Sequence, residues 1–105
     1  MKKIINGRLY NTVTATLIGS CGDNLHDFYA TSEALYRTKA GRWFVHGMSS
    51  AGGKYGKSSQ NGKELSGGEA IYALEENMVC NWVSCHDMSE DAVAMVASLL
   101  TVPEA

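Results

Sequence analysis

Residues 34–46, A-L-Y-R-T-K-A-G-R-W-F-V-H, contain the pattern that decides the fold of this chain. The letters K-A-G predict a three-residue loop with Gly41 at positive φ, which pairs Tyr36 with Phe44 across two antiparallel strands. Because side chains alternate between the faces of a strand, Tyr36 and Phe44 share one face. The other face receives Leu35, Trp43 and Val45. Large apolar groups on both faces predict a hairpin at the centre of a sheet rather than at its edge.

The length and composition of the chain indicate one small domain. A chain of 105 residues, 45% of them hydrophobic, can bury a modest core, and we expect a single α+β domain over residues 1–105. No apolar run reaches the length of a signal peptide or a membrane span, so we expect a cytoplasmic protein without membrane contact. The three cysteines, an odd number, favour reduced thiols over a disulfide framework.

Charge is distributed unevenly along the chain. All nine lysine and arginine residues precede Glu64, together with three acidic residues, so residues 1–63 carry a net charge of +6. The other eight acidic residues lie in residues 64–105, which contain no lysine or arginine and carry −8. Two interpretations follow. Either the two halves attract each other within the fold, or one of them faces a charged partner.

The first part of the chain predicts a hairpin, a short helix and a strand. Asn6 and Gly7, between short apolar runs, favour a type I′ turn and therefore a first hairpin. Residues 13–18 predict a short helix, with a strand as the alternative because several of them are β-branched. Turn-forming residues at 20–24 then precede a long strand over residues 27–38.

The second part predicts a long loop, a strand and two helices. Residues 49–68 contain six glycines and five serines and predict a loop, which is a common place for a contact surface. Residues 70–74 predict a short strand. Apolar spacing predicts a helix over residues 75–86, with Trp82 packed on the sheet. A second helix, capped by Ser89, has the same spacing in Val93, Val96, Ala97 and Leu100.

Two motifs that suggest chemistry lack the context they need. Residues 51–58, A-G-G-K-Y-G-K-S, match a loose phosphate-loop pattern, but no helix-forming sequence follows them. A flexible loop carrying Lys54 and Lys57 is the favoured interpretation. Cys80 and Cys85 lie five positions apart on a predicted helix, about 140° around its axis, so we do not expect them to share a metal ion. We expect no cofactor, no metal and no catalytic residue.

Basic and aromatic side chains occur together in the first half. Proteins that bind single-stranded nucleic acid combine such residues, since bases stack on aromatic rings and phosphates contact cations. The mixture here consists of Arg8, Arg37, Arg42, Tyr10, Tyr36 and Trp43. Direct nucleic-acid binding through a basic face of the sheet is therefore an alternative function.

Four segments resemble a group of small proteins carried by phages and conjugative elements. They are M-K-K-I-I-N-G-R-L-Y-N-T at 1–12, A-L-Y-R-T-K-A-G-R-W-F-V-H-G at 34–47, G-G-K-Y-G at 52–56 and G-G-E-A-I-Y-A-L-E-E at 67–76. The group includes, or is similar in character to, anti-defence proteins such as anti-CRISPRs. The resemblance implies a non-enzymatic inhibitor that binds a host defence (CRISPR-Cas) complex in the host cytoplasm and blocks nucleic-acid or nuclease access.

The resemblance and the charge pattern together define the expected fold and contact residues. We expect a small antiparallel β-sheet with the C-terminal helices packed on one face. We expect the acidic half and the lysine-bearing loop to contact the partner, through Glu75, Glu76, Asp87, Glu90, Asp91, Lys54, Tyr55 and Lys57. Nucleic acid is the alternative partner, and the oligomeric state is not predicted. A small enzyme or metal protein that uses Cys85 and His86 is a third hypothesis.

Overall fold

The computed structural model describes residues 1–22, 28–58 and 65–105. Within these ranges the strands are β1 (Lys2–Ile5), β2 (Arg8–Asn11), β3 (Thr16–Gly22), β4 (Thr31–Arg37), β5 (Trp43–Ser49), β6 (Lys57–Ser58), β7 (Leu65–Ser66) and β8 (Gly68–Leu74). The helices there are α1 (Glu76–Ser84) and α2 (Glu90–Leu100). None of the helices in the described ranges is long and apolar enough to span a membrane.

A four-stranded antiparallel sheet, in the order β3-β4-β5-β8, is the centre of the molecule. The helices pack against one face, the helix face, where the core consists of Ile18, Leu35, Trp43, Val45, Val79, Trp82 and Val96. The β1–β2 hairpin packs on the opposite face, the hairpin face, where the buried residues are Tyr10, Phe44 and Ile71. The chain therefore has the α+β fold that the sequence predicts, with the C-terminal helices on one face of the sheet.

The hairpin of β4 and β5 occupies the two central positions of the sheet, as the sequence predicts. Tyr36 lies opposite Phe44, and both side chains point to the hairpin face with their rings stacked 5.1 Å apart. Gly41 has a φ of +86°, so the loop uses the conformation that glycine adopts most easily. The predicted register is confirmed, and two apolar faces make this hairpin the element on which both other layers pack.

The first hairpin is also confirmed. Asn6 and Gly7 have φ values of +51° and +76°, which are the paired positive values of a type I′ turn. Tyr10 packs edge-on against Phe44 with ring centroids 5.5 Å apart. The Lys3 ammonium donates to the carbonyl oxygen of Ile71 at 3.4 Å, which ties the hairpin to β8.

The helix predicted over residues 13–18 is wrong, because the segment forms a turn followed by β3. The Asn11 side chain accepts a hydrogen bond from the Val13 backbone N–H at 3.0 Å, and the Ala15 N–H donates to the Asn11 carbonyl at 3.1 Å. This local turn reverses the chain, and the β-branched residues then extend along β4. The alternative predicted from the sequence for this segment, a strand, is the structure observed from Thr16 onward.

Three other predicted boundaries differ from the structure. Residues 20–22 of the predicted turn continue β3, where they pair with β4, and residues 23–24 lie outside the described part of the chain. The strand predicted over 27–38 begins at Thr31, because residues 28–29 form a turn, and Asp27 also lies outside the described ranges. The predicted loop at 49–68 includes the short β6–β7 pair and the first residue of β8, and its residues 59–64 are outside those ranges.

The strand and both helices predicted in the second part are confirmed, with one difference in α2. Trp82 is buried in the helix-face core, and the Ser89 hydroxyl caps α2 by accepting from the Ala92 N–H at 3.2 Å. The buried residues of α2 are Ala92 and Val96, whereas Val93 is 45% exposed. A Cβ on Gly19 of β3 would lie 2.5 Å from the Ala92 Cβ. The helix therefore turns Ala92 toward the sheet because Gly19 leaves room for it.

Replacing Trp43 with alanine tests whether the central hairpin is the core. Trp43 is 2% exposed, so its removal should lower the free energy of unfolding by about 3 to 5 kcal/mol, measured by urea denaturation followed by circular dichroism. Val13→Ala, at an 83% exposed position, is the control and should change stability by less than about 0.5 kcal/mol. Equal effects of the two substitutions would contradict the assignment of the core.

Candidate functional site

A buried carboxylate lies on the helix face of the sheet, beside α1. Glu33 is two positions before Leu35 on β4, so the two side chains share the same face, and Glu33 is only 7% exposed. Its carboxylate accepts hydrogen bonds from the Tyr55 hydroxyl at 2.9 Å and from the Tyr72 hydroxyl at 3.1 Å. The Lys54 ammonium lies 3.3 and 3.4 Å from its two oxygens. Donors from the loop and from β8 thus converge on one charge.

Helix α1 and the residues just after it join the same network through Trp82 and His86. The indole N–H of Trp82 donates to the Tyr72 hydroxyl at 3.0 Å. One turn later, the His86 ring stacks on the Trp82 ring with centroids 3.9 Å apart, and its Nε2 lies 3.4 Å from a Glu33 oxygen. Its Nδ1 lies 2.6 Å from the Trp82 carbonyl oxygen. Because a carbonyl oxygen only accepts, the proton in this contact belongs to Nδ1.

The loop segment that carries Tyr55 is held against the sheet by close packing. Gly47 on β5 has no side chain, and a Cβ there would overlap the Tyr55 ring. The Tyr55 backbone N–H donates to the Ser49 hydroxyl at 2.8 Å, and the Lys54 backbone N–H donates to the Thr31 hydroxyl at 3.0 Å. We call Glu33, Tyr55, Tyr72, Trp82, His86 and Lys54 together the Glu33 network.

Burial and hydrogen bonding shift the pKa values of three groups in this network, Glu33, Tyr55 and Tyr72. Burial by itself would raise the pKa of Glu33, but hydrogen bonds from Tyr55 and Tyr72 and the nearby Lys54 charge outweigh burial and lower that pKa. Burial and the Glu33 carboxylate raise the pKa of Tyr55, and burial chiefly raises the pKa of Tyr72. At neutral pH the carboxylate is therefore ionised and the phenols are protonated. The network links the loop, the sheet and α1.

The three cysteines are free thiols in different surroundings. Cys21 lies opposite Glu33 in the β3–β4 register, and burial, followed by the charges of Glu33 and Asp87, raises the pKa of its thiol. A protonated thiol is a poor nucleophile. Cys80 and Cys85 are exposed free thiols. Over the ranges that the structure describes, no three histidine, cysteine or acidic side chains are grouped closely enough to hold a metal ion.

The predicted acidic contact residues fall into two groups. Glu75 and Glu76 are exposed at the start of α1, whereas Asp87, Glu90 and Asp91 are exposed between α1 and the first turn of α2. The nine residues of α1 separate the two groups by about 13 Å along the helix. The acids therefore flank α1 at both ends rather than forming one cluster. We call residues 75–102 the helical layer.

An apolar groove runs between the two helices of this layer. It has a volume of about 280 Å³ and is lined by Cys80, Val83, Ser84, Val93, Val96, Ala97 and Val102. Exposed apolar side chains border it, because Val93 and Val102 keep 45% and 42% of their surface in solvent. The helical layer thus combines an apolar centre with acidic ends.

The predicted loop residues have different positions. Lys54 and Tyr55 belong to the Glu33 network, and Lys57 is exposed on β6. Sequence reasoning missed Glu33 and Tyr72 as site residues, and it named Trp82 only as packed on the sheet and His86 only together with Cys85. A buried position for Glu33 could have been predicted, because the predicted register places it on the same face as Leu35.

The predicted basic and aromatic residues are only partly brought together. Arg8, Tyr10, Arg42 and Trp43 line one cleft at the end of the sheet, with a volume of about 370 Å³. Tyr36 instead stacks on Phe44, and the Arg37 guanidinium lies 5.5 Å from the centre of the Trp43 ring, outside the residues that line the cleft.

Replacing Glu33 with glutamine tests the network. The amide keeps the shape but loses the charge that four donor contacts stabilise, so the free energy of unfolding at neutral pH should fall by about 2 to 4 kcal/mol. Tyr55→Phe should cost about 1 to 2 kcal/mol, because one donor to the carboxylate is lost. Glu104→Gln, at an exposed position, is the control and should have no effect.

The stability difference between Glu33→Gln and the parent protein should also depend on pH. The pKa of the Glu33 carboxyl is lower in the folded protein than in the unfolded chain, where it is about 4.3. The carboxylate therefore stabilises the fold fully above the unfolded pKa, and this stabilisation is lost as the pH falls through the folded pKa. The stability difference between the parent and Glu33→Gln should therefore shrink on acidification from neutral pH to about pH 3. A difference that stays constant over this range would mean that the charge of Glu33 is not what stabilises the fold.

Three features thus describe the molecule's candidate sites. They are the Glu33 network, the helical layer with its groove and acidic ends, and the cleft that contains Arg8 and Arg42. Searches of family models, of curated protein sequences and of solved structures give no match to this chain.

Proposed function

We propose that this protein is a non-catalytic inhibitor that binds the nucleic-acid groove of a host defence complex through its helical layer. The observation that carries this proposal is the unpaired charge of that layer. Among the residues that the structure describes, no lysine or arginine forms an ion pair with a carboxylate of residues 65–105. The acidic half is therefore available to attract a basic partner rather than being neutralised by the basic half of the same chain.

The chemistry of the helical layer fits a protein partner with a basic surface. Carboxylates at both ends of α1 complement lysine and arginine side chains that ordinarily contact phosphates. The groove between the helices supplies the apolar contact that lies at the centre of most protein interfaces, with polar groups around it. A nucleic-acid groove on a defence effector offers the required positive charge, and an acidic protein that occupies it excludes the nucleic acid.

The resemblance to proteins of phages and conjugative elements supports a host defence complex, with CRISPR-Cas effectors as the first class to test. Such a complex acts in the host cytoplasm, where we propose the inhibitor acts too. The exposed loop residue Lys57 lies outside the helical layer and extends the proposed contact surface only if the partner also carries acidic groups beside its basic groove.

Charge reversal in the helical layer tests the proposal. Purified CRISPR-Cas effector complexes of several types are immobilised, and association with this protein is measured by biolayer interferometry at low and at physiological salt. Glu75→Lys, Glu76→Lys and Asp87→Lys combined should slow association and weaken binding by more than about tenfold at low salt. The difference should narrow at higher salt because exposed charges are screened.

Glu69→Lys with Glu104→Lys is the control. These positions are acidic and lie outside the helical layer, so the double variant tests whether any added positive charge has the same effect. Circular dichroism checks that both variants keep the fold. A triple variant that binds as tightly as the parent protein, or a control that loses as much affinity, would move the interface away from the helical layer.

A further inference from the structure

A cleft opens at one end of the sheet, where three chain segments meet. Asn6 lies in the turn between β1 and β2, Arg8 begins β2, and Arg42 precedes β5. Trp43, at the start of β5, lies opposite Leu74, the last residue of β8, so the beginning of α1 closes the third side. We call this volume of about 370 Å³ the tip cleft.

Two arginines, Arg8 and Arg42, line the tip cleft and form no ion pair with a described residue. Over the described residues, the ion pairs involve Glu33 and Glu69 only, and neither Arg8 nor Arg42 takes part in one. Glu75 and Glu76 line the same cleft but do not reach the arginines. Arginine presents a planar fork of N–H donors that matches the oxygens of a phosphate group. The cleft therefore has two arginines in its lining whose charges are not paired by a described carboxylate and can bind an anion.

Two neutral features border this cleft. Trp43 lines it with only 2% of its surface exposed, packs in the helix-face core, and has a buried indole N–H without a hydrogen-bond partner among the described residues. Its indole signal therefore reports on the wall of the cleft. The N-terminus of α1 lies at the same wall, and its Glu75 side chain makes no capping hydrogen bond. The first backbone N–H groups of a helix attract anions.

We propose that the tip cleft binds a phosphate group of a nucleotide or of a nucleic-acid strand. Arg8 and Arg42 bind the phosphate oxygens, the α1 N-terminus supplies neutral donors, and Trp43 forms part of the wall. Glu75 and Glu76 weaken the attraction for a bare anion and accept hydrogen bonds from amino or hydroxyl groups of a nucleoside. A second cavity of about 400 Å³ shares Arg8, Tyr10 and Arg42 and adds Lys39. This site goes beyond the proposed function, because Arg8, Arg42 and Trp43 lie outside the helical layer. Only Glu75 and Glu76 belong to both the tip cleft and that layer.

An NMR titration observes the site directly. In ¹⁵N–¹H spectra the two indole N–H groups give separate signals, one from Trp43 in the cleft and one from Trp82, which donates to Tyr72 and serves as an internal control. Inorganic pyrophosphate, ADP and an oligothymidylate are added in separate experiments at low salt. The Trp43 signal should shift and saturate with at least one of them, while the Trp82 signal stays in place. Absence of a Trp43 shift at about 10 mM of all three ligands would overturn the proposal.

The three ligands also distinguish the sources of the phosphate. A response to pyrophosphate or ADP assigns the site to small phosphate compounds. A response to the oligothymidylate alone assigns it to a nucleic-acid strand. Oligothymidylate binding that leaves the Trp43 signal unchanged places the contact elsewhere on the protein and overturns the assignment to the tip cleft.

Substitutions of the basic and of the acidic residues in the cleft should change ligand affinity in opposite directions. Arg8→Gln and Arg42→Gln should each weaken binding at least about fivefold, and each should lower the salt dependence of oligonucleotide binding by about one charge. Glu76→Gln should strengthen pyrophosphate binding, because it removes a repulsive carboxylate and pyrophosphate has no nucleoside group for that carboxylate to accept from. Lys57→Gln is the matched control, since Lys57 is an exposed cation near the opposite end of β8. If Lys57→Gln weakens binding as much as Arg8→Gln does, the attraction is diffuse and the proposed site is overturned.

Discussion

The burial of one carboxylate is the constraint on which the helix face of this protein depends. Glu33 is only 7% exposed, and a buried ionised group without hydrogen bonds costs several kcal/mol. The donors that satisfy it come from the loop and from β8, and Trp82 of α1 in turn donates to Tyr72, so these elements have to be in place together. Because the buried charge requires close polar partners, the Glu33 carboxylate determines where Tyr55 and His86 lie.

The sequence predicts the centre of the fold well because its information there is local. The positive φ of Gly41 and the alternation of apolar residues fix the register of the central hairpin, and Ser89 fixes the start of α2. The turn at residues 11–15 was mispredicted because Asn11 can cap a helix or close a turn with the same side chain. The rotation of α2 depends on its contact with Gly19, which is distant in sequence.

The candidate sites are less predictable because they combine residues that are far apart in the chain. The acidic residues could be named from composition, but their division between the two ends of α1 follows from the length of that helix. Arg8 and Arg42 could be named as basic residues near aromatic ones. Their meeting with Trp43 and the α1 N-terminus depends on how the first hairpin crosses the sheet, which no local pattern specifies.

The separation of charge across the sheet has a consequence for how the molecule meets a partner. Lys2, Lys3 and Arg8 lie on the hairpin that covers one face, whereas Asp87, Glu90 and Asp91 lie with the helices on the other. A molecule with its charges separated in this way has an electric dipole, on which the field of a charged surface exerts a torque. Near a basic surface, that torque would turn the helices toward the surface before any side chains touch.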